Sequence, residues 1–479
     1  MPLLFALEKS SLKQSYLFGL ITGMAIVAFG FYWMGDWARI VMEIPFPLNK
    51  LIILGHAFCI GQVMGFVALI YQWLRKYEKL NDLILFPVVI VVVFSIFPML
   101  FYFHPADGQS YFLISIQAVE IFGVYGLDFI LALVNILIYS VIRLDRKIPD
   151  KKWIAVALIL IMGWFGYGMI KLPQWDQEIG NWESKTIGLV QPNRAASLKQ
   201  PKPEKGYSRL RPLEMEMSQK LSNEGADLIV WPEGHFFGYV YWTKVQEAFK
   251  IQIKSFDTPV VFLDSTYKEI NSKKHYYNSS LFIDSRGNLA GQYEKMRLVP
   301  FGEYTPLADQ LKFIKDMLGD FLSGLTPGKE NKIFDIAGMR MVPKICYESI
   351  FPQDVAIAIG EDGKGKVLLV QTQNGWYGET SEPEQHMVIT ALRAVENRIP
   401  LIHVMNNGSS AIVLPNGRYA YQSTPFVRGE WVSKMPFSSE SGGSFFSRHP
   451  RVFINLIQMI FVILVLFRLQ SQFRKKNPC

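Results

Sequence analysis

Cysteine is scarce in this sequence: Cys59, Cys346 and Cys479 are the only three in 479 residues. So few cysteines exclude a disulfide-stapled scaffold. No second cysteine or histidine pair stands near Cys346, which excludes ordinary zinc-ligand spacing there. Cys479 is not at the position that a prenylation box needs. Charge is sparse too, at 19% of residues. No compact basic patch is interleaved with aromatics, so a nucleic-acid partner finds no support despite a net charge of +8. There is no internal repeat, no low-complexity tract and no Gly-x-Ser-x-Gly elbow for a serine nucleophile. Cys346 is therefore either a buried, inert thiol or one kept for chemistry.

What the sequence has in quantity is apolar runs. Half of its residues are hydrophobic, and these crowd into the first third and the extreme end. Ser15–Met34, Leu51–Leu74, Leu83–Phe103 and Trp153–Ile170 carry no charge; Tyr111–Ile142 is interrupted only by Glu120 and Asp128. A last run, Val452–Phe467, is flanked by Arg451 and Arg468, whose long side chains can reach the interfaces. A helix needs roughly 20 apolar residues to cross a bilayer, and these runs fit. The first is too long for the core of a typical signal peptide and lacks a small-residue cleavage site after it, so it reads as a retained span. Lys and Arg concentrate in RKYEK, RLDRKIPDKK and the RKK of the tail, whereas HPADGQ has none. Cytoplasmic loops carry the basic residues, so this pattern puts the N-terminus and tail inside and Lys171 to Pro450 outside. The expected organisation is a helical transmembrane bundle over 1–171, an outer domain over 172–450, and a terminal helix with a basic tail over 451–479.

The outer domain alternates two kinds of segment. TIGLVQPN, ADLIVWPEG, TPVVFLDST, NSSLFIDSRG, KVLLVQTQNG and PLIHVMNNGSSAIVLPNG are short apolar runs with polar stops, several of them continuously apolar, as suits strands covered on both faces. Helical spacing predicts helices over Leu213–Asn223, Thr243–Phe256 and Glu384–Asn397. This is an α/β layered domain, with Arg-Gly-Asn and Asn-Gly marking hairpin turns. The Lys- and Pro-rich Pro192–Tyr207 and the Ser- and Gly-rich Ser438–Arg448 read as flexible pieces.

Polar residues collect where the strand-like runs end: Glu233 in VWPEG, Lys295 after a hairpin, Cys346 after GMRMVPKI, and Asn374 after LLVQTQ. In α/β domains, chemistry gathers beyond strand ends. A thiol is only a few per cent ionised at neutral pH and needs a base. A carboxylate can take its proton, and an ammonium can offset the oxyanion formed when a carbonyl is attacked. Glu233, Lys295 and Cys346 would together make an acyl-transfer apparatus. Taken singly, they also read as a loop carboxylate, a solvated lysine and a core thiol.

The motifs VWPEG, YEKMRLVPFGEYTP, ICYESIF, NGWYG, EQH, LRAVENRIPL and NNGSSAIVLPNG occur in one order along the outer domain. In this the domain resembles the nitrilase, or carbon–nitrogen hydrolase, superfamily. The whole chain is similar to its membrane-bound branch, the apolipoprotein N-acyltransferases, to which LVPFGEYTP and the membrane segments GFYW and QAVEIFGVYGLDFILALVN also point. The resemblance implies a nitrilase-like αββα sandwich joined to an α-helical transmembrane bundle, with Glu233, Lys295 and Cys346 as catalytic triad. It implies supporting roles for Glu303, Tyr347 and Glu348, with Asn374 added from its strand-end position. No cofactor and no metal is expected. The expected reaction moves an acyl chain from a membrane phospholipid, through a Cys346 thioester, to the N-terminal amine of a diacylated apolipoprotein. The expected setting is the bacterial inner membrane, with a periplasmic catalytic domain and a monomeric chain. Against that family this sequence opens near the third apolar helix, and PLIHVMNNG lacks an arginine usual before NNG.

Two other readings stand beside this one. A membrane-anchored amidase would use the same three residues with water as acceptor. A non-enzymatic scaffold or transporter would give the charges Glu120 and Asp128 a role at membrane depth. The aromatics Phe236, Phe237, Tyr239 and Trp242, just after Glu233, suggest either a lid over an apolar groove or ordinary core and interfacial packing.

Overall fold

The structure is a computed structural model that describes residues 2–77, 80–143, 151–196, 202–234, 236–300, 302–304 and 324–476. Cys479 and parts of RKYEK, RLDRKIPDKK and LVPFGEYTP lie outside the described residues. The chain divides into two compact units, residues 1–174 with 449–479, and residues 175–448.

The first unit is helical: α1 (Leu12–Gly30), α2 (Asn49–Arg75), α3 (Asp82–Ile96), α4 (Val119–Ile142), α5 (Lys151–Gly180) and the terminal helix Val452–Lys476. Among the described residues, five helices are long and apolar enough to cross a membrane, and α3 is not one of them. The run expected to continue to Phe103 stops being helical at Ile96, because Phe97 turns extended ahead of Pro98. A residue before proline is pushed out of the helical region. Its 15 residues rise only about 22 Å, and α3 is buried along most of its length, as a core helix of the bundle.

α1 begins at a capping box in which Ser11 and Gln14 satisfy each other's backbone N–H groups. It then packs on α2 through glycines. A Cβ on Gly23 would lie 2.3 Å from the Gly61 carbonyl oxygen, and one on Gly19 would lie 2.3 Å from that of Met64. Gly19 and Gly23 on one helix, and Gly61 and Gly65 on the other, are four apart. This is the small-residue spacing that lets helix backbones touch in lipid. α4 kinks at Gly123, whose φ of 64° no ordinary helix uses. Ahead of the kink, Glu120 accepts the Tyr167 hydroxyl. Beyond it, buried Asp128 pairs with the His104 ring at 2.6 Å and accepts the Ala106 N–H at 2.9 Å. Both charges thus serve to hold helices and a loop together.

The second unit is built on two six-stranded sheets among the described residues, ordered β12-β1-β2-β3-β4-β5 and β11-β10-β9-β8-β7-β6. The strands are β1 (Glu183–Gln191), β2 (Leu228–Val230), β3 (Val260–Ile270), β4 (Lys273–Ile283), β5 (Leu289–Glu294), β6 (Phe334–Ile336), β7 (Met339–Ile345), β8 (Lys366–Thr372), β9 (Leu401–Met405), β10 (Ala411–Val413), β11 (Tyr419–Gln422) and β12 (Gly429–Phe437). Alternate residues explain the layering. Leu228 and Val230 point into a core shared with Met341, Leu369 and Val404 of the other sheet, while Ile229 faces the opposite way. There it packs with Leu221 and Phe249 of the helices α6 (Leu213–Asn223) and α7 (Thr243–Phe256). The second sheet's outer face carries α8 (Pro352–Ile359) and α9 (Glu382–Asn397), through Val355, Met387 and Ala391. The order is therefore helix, sheet, sheet, helix, the αββα sandwich. Ser438–Arg448, expected to be flexible, is instead packed: Ser444, Phe446 and Ser447 are buried, and Gly442 and Gly443 press on Gly363.

Candidate active site

Four expected site residues follow directly on strands. Glu233 lies in the turn after β2, Lys295 after β5, Cys346 after β7 and Asn374 after β8. The first two come from one sheet and the last two from the other. Side chains stitch the sheets together here. The Gln371 amide donates to the Trp231 carbonyl at 2.7 Å, its carbonyl oxygen accepts the Ser280 hydroxyl at 2.6 Å, and the Gln373 main-chain N–H donates to Glu233 Oε2 at 3.1 Å.

At the centre is an ion cluster. Lys295 Nζ donates to Glu303 Oε1 at 2.8 Å and to Glu233 Oε1 at 3.3 Å. Asn278 Nδ2 reaches the same two oxygens, at 3.3 and 2.7 Å respectively. Glu303 is also tied to its own loop by the Val299 N–H at 2.8 Å. Lys295 is 1% exposed and Glu233 7%, so these charges meet with little water to screen them. Burial works against the Lys295 charge, but Glu233 and Glu303 outweigh it and hold the ammonium well above its ordinary pKa. Burial pushes the Glu233 carboxyl up, Lys295 pulls it down and Glu303 raises it again, for a net upward shift.

Cys346 is half-buried, packs against the cluster of Leu263, Tyr293 and Ile345, and lies within electrostatic range of Glu233, Lys295 and Glu303. Burial raises its pKa well above the ordinary value, Glu233 adds to the rise and Lys295 opposes it. The resting group is the thiol, so attack requires a base at hand, and Glu233 has the chemistry for it. The Cys346 backbone is left-handed, with φ 48°. A side chain held there costs of order 1–3 kcal/mol and persists only where the surroundings impose it.

Glu348 does much of that imposing. Its carboxylate accepts the Tyr293 hydroxyl at 2.9 and 3.0 Å, the N–H groups of Met296 and Arg297 at 2.7 and 3.1 Å, and the Ile345 N–H at 2.8 Å. It thus clamps the segment following Lys295 to the segment preceding Cys346. Tyr347 is nearly buried and meets Phe351 edge-on at 5.0 Å. Asn374 points elsewhere: its amide donates to Glu382 Oε2 at 2.8 Å and faces His386 Nδ1 at 3.2 Å. Among the described residues, no group of three or more His, Cys, Asp or Glu side chains is arranged to hold a metal.

The suggested lid divides. Phe236 and Tyr239 are core residues, packed with Trp231, Phe249 and Phe262. Their segment is pinned because buried Asp264 accepts the N–H groups of Gly238 and Val240, each at 2.9 Å. Phe237 is half-buried, and Trp242 is 41% exposed with the Arg209 guanidinium 4.5 Å over its ring. Asn278 and Gln373, which grip Glu233, were not foreseen. The only available signal was a polar residue at the mouth of an apolar run, NSSLFI and VQTQN.

Residues 186–434, more than half of the chain, match the carbon-nitrogen hydrolase family, and residues 1–137 match the apolipoprotein N-acyltransferase N-terminal domain. The chain is 28% identical to the apolipoprotein N-acyltransferase of Geobacter metallireducens, across 94% of this chain and 86% of that one. It is 30% identical to the apolipoprotein N-acyltransferase of Rickettsia typhi, across 72% of this chain and 69% of that one. Among solved structures it is similar to an amidase from Nesterenkonia sp., with TM-score 0.41 and 19% identity, over 57% of this chain and 96% of that one. The chain belongs to the apolipoprotein N-acyltransferase family, the multi-pass membrane branch of the carbon–nitrogen hydrolases.

Proposed function

We propose that this chain moves an acyl group from a membrane phospholipid to the N-terminal α-amine of a diacylglyceryl-cysteine apolipoprotein, with Glu233, Lys295 and Cys346 as its catalytic triad. Glu233 takes the Cys346 proton as sulfur attacks the phospholipid ester. Lys295 offsets the charge on the ester oxygen. The lysophospholipid leaves with the proton from Glu233, and Cys346 carries the acyl group as a thioester. The acceptor amine then attacks that thioester. Glu233 receives the amine proton and returns it to sulfur as the amide forms, restoring the thiol. Glu303 orients Lys295, Glu348 fixes the distance between the Lys295 and Cys346 segments, and Tyr347 shapes the wall beside the nucleophile.

The buried cluster of Lys295 with Glu233 and Glu303, at 3.3 and 2.8 Å beside a lone thiol, carries this reading in a chain of this family. Each methylene kept in lipid is worth about 0.8 kcal/mol, so both substrates keep their chains in the bilayer and present head groups to the site. The catalytic domain, residues 172–450, sits on the periplasmic side of a bacterial inner membrane, with the basic loops in the cytoplasm, and the chain works as a monomer.

The test mixes the purified chain in micelles with a phospholipid and a diacylated lipopeptide. The expected result is an acyl mass on Cys346 and a third, amide-linked chain on the peptide, both lost in Cys346→Ala. Free fatty acid as the sole product would overturn the transfer reading in favour of hydrolysis.

A further inference from the structure

Next to Cys346 runs a buried chain of polar side chains that the triad does not use. Ser349, Thr390 and Asn374 are fully buried and His386 is 6% exposed. The Ser349 hydroxyl donates to the Cys346 carbonyl at 2.9 Å and lies 2.9 Å from His386 Nε2 and 3.0 Å from the Thr390 hydroxyl. Thr390 in turn donates to the His386 carbonyl at 2.8 Å. At the far end, Thr372 donates to Asn374 Oδ1 at 2.7 Å, which turns the Asn374 amide toward Glu382 at 2.8 Å and His386 Nδ1 at 3.2 Å.

Counting protons gives this chain a direction. A hydroxyl has one proton to give. That of Ser349 is on the Cys346 carbonyl and that of Thr390 is on the His386 carbonyl. The Asn374 amide nitrogen can only donate, so His386 Nδ1 accepts from it, and the neutral ring carries its proton on Nε2, facing Ser349. His403 meets the ring edge-on, with centroids 5.2 Å apart. Burial holds His386 at a pKa of about 4, which keeps the ring neutral as this arrangement requires.

We propose that His386, as the neutral tautomer protonated on Nε2, is a positioning residue for the nucleophile. Through Ser349 it holds the Cys346 carbonyl, and with it the left-handed backbone that aims the thiol. This rests on Cys346 being the nucleophile. The strain at φ 48° is sustained from two sides. Glu348 grips the residue before the cysteine, and the Asn374–His386–Ser349 relay grips its carbonyl. His386 touches no reacting atom, so its removal should affect the chemical step and leave donor binding intact.

The experiment follows single-turnover acylation of Cys346 by a phospholipid donor, read by intact mass, in the full chain in micelles. Variants are Ser349→Ala, His386→Phe, His386→Gln and the Ser349→Ala/His386→Phe pair. A misplacement of about 1 Å can cost about 10²-fold, so Ser349→Ala and His386→Phe should each slow the saturated rate by about 10- to 100-fold. The donor concentration giving half-maximal rate should stay within about two-fold. The double variant should be no slower than the worse single one, because both break one relay. His386→Gln, whose amide can donate to Ser349 and accept from Asn374, should recover most of the loss. Ser349→Ala removes a single oxygen, so the test survives even if His386→Phe does not fold. If the parent chain is labelled on Cys346 and Ser349→Ala reacts as fast, or the loss falls on half-saturation alone, the relay is overturned and the nucleophile stands. If the parent chain takes no acyl group on Cys346, the nucleophile falls and the relay with it.

Discussion

Lys295 Nζ lies closer to Glu303 than to Glu233, 2.8 Å against 3.3 Å. Glu303 is also held by its own loop through the Val299 N–H. The ammonium is thus anchored chiefly by Glu303, while Glu233 is held chiefly by the Asn278 amide at 2.7 Å and the Gln373 N–H at 3.1 Å. Glu303→Gln keeps the shape and the acceptor oxygen but removes the charge. The expected outcome is a drop in turnover of about 10- to 100-fold, with unchanged amounts of folded chain in the membrane fraction. Equal losses of both would make Glu303 a structural residue.

Glu348 should behave differently, because four separate groups donate to it: the Tyr293 hydroxyl and the N–H groups of Ile345, Met296 and Arg297. Glu348→Ala leaves these donors buried without their acceptor, at about 1–3 kcal/mol for each one left unsatisfied. Thermal unfolding and activity should therefore fall together in this variant, whereas Glu303→Gln separates them. A Glu348→Ala chain with parental melting temperature would remove the clamp from the account.

Glu382 gives a pH signature to stability. Burial raises its pKa from 4.5 to about 8, with the Asn374 amide pulling the other way. The folded chain therefore keeps a proton that the unfolded chain releases above pH 4.5. Stability is lost as pH rises across that window and levels off above about 8. His386, lowered from 6.5 to about 4, acts in the opposite direction between those two values, so the parent profile is a sum of both. Glu382→Gln keeps an acceptor for Asn374 and removes one contributor. Melting temperatures at pH 5 to 8 should show the variant gaining on the parent as pH rises; a constant offset would contradict the assignment.

In the bundle, the contact of α1 with α2 leaves no room for a side chain. Gly23→Ala places a methyl 2.3 Å from the Gly61 carbonyl oxygen, whereas a Cβ on Gly55 meets nothing within 4 Å. Forcing extra volume into a packed contact costs about 1–3 kcal/mol. Resistance to detergent unfolding should drop for Gly23→Ala and hold or rise for Gly55→Ala, since alanine is the better helix former by about 1 kcal/mol. Equal behaviour of the two would show that the helices separate freely there.

Much of this architecture was legible in the residues, for identifiable reasons. Leu213–Asn223 and Thr243–Phe256 form helices over the limits their apolar spacing predicts. α9 begins at Glu382 rather than Glu384, because Pro383 fits a helix's first turn. β12 leaves no clear apolar pattern: its Glu430 and Lys434 interrupt it, and its partner β1 lies at the other end of the domain. Hydropathy overstates the third apolar helix, because it continues past Pro98 while the helix does not. The strand-end positions of Glu233, Lys295 and Cys346 are legible in the sequence, because Glu233 and Cys346 close apolar runs and Lys295 follows a hairpin. The relay beside Cys346 is not, because Ser349, Thr390 and His386 acquire meaning only once a helix is laid against a turn. Direction of hydrogen bonding has no trace in a sequence.

The junction of the two sheets has a last consequence. Glu233 and Lys295 hang from one and Cys346 from the other, so the proposed centre needs both halves of the sandwich. A register slip of one residue would turn the polar groups away from each other. An acyl mass on the cysteine, if the proposed chemistry holds, would thus double as a proofreading signal that both halves have closed in the right frame.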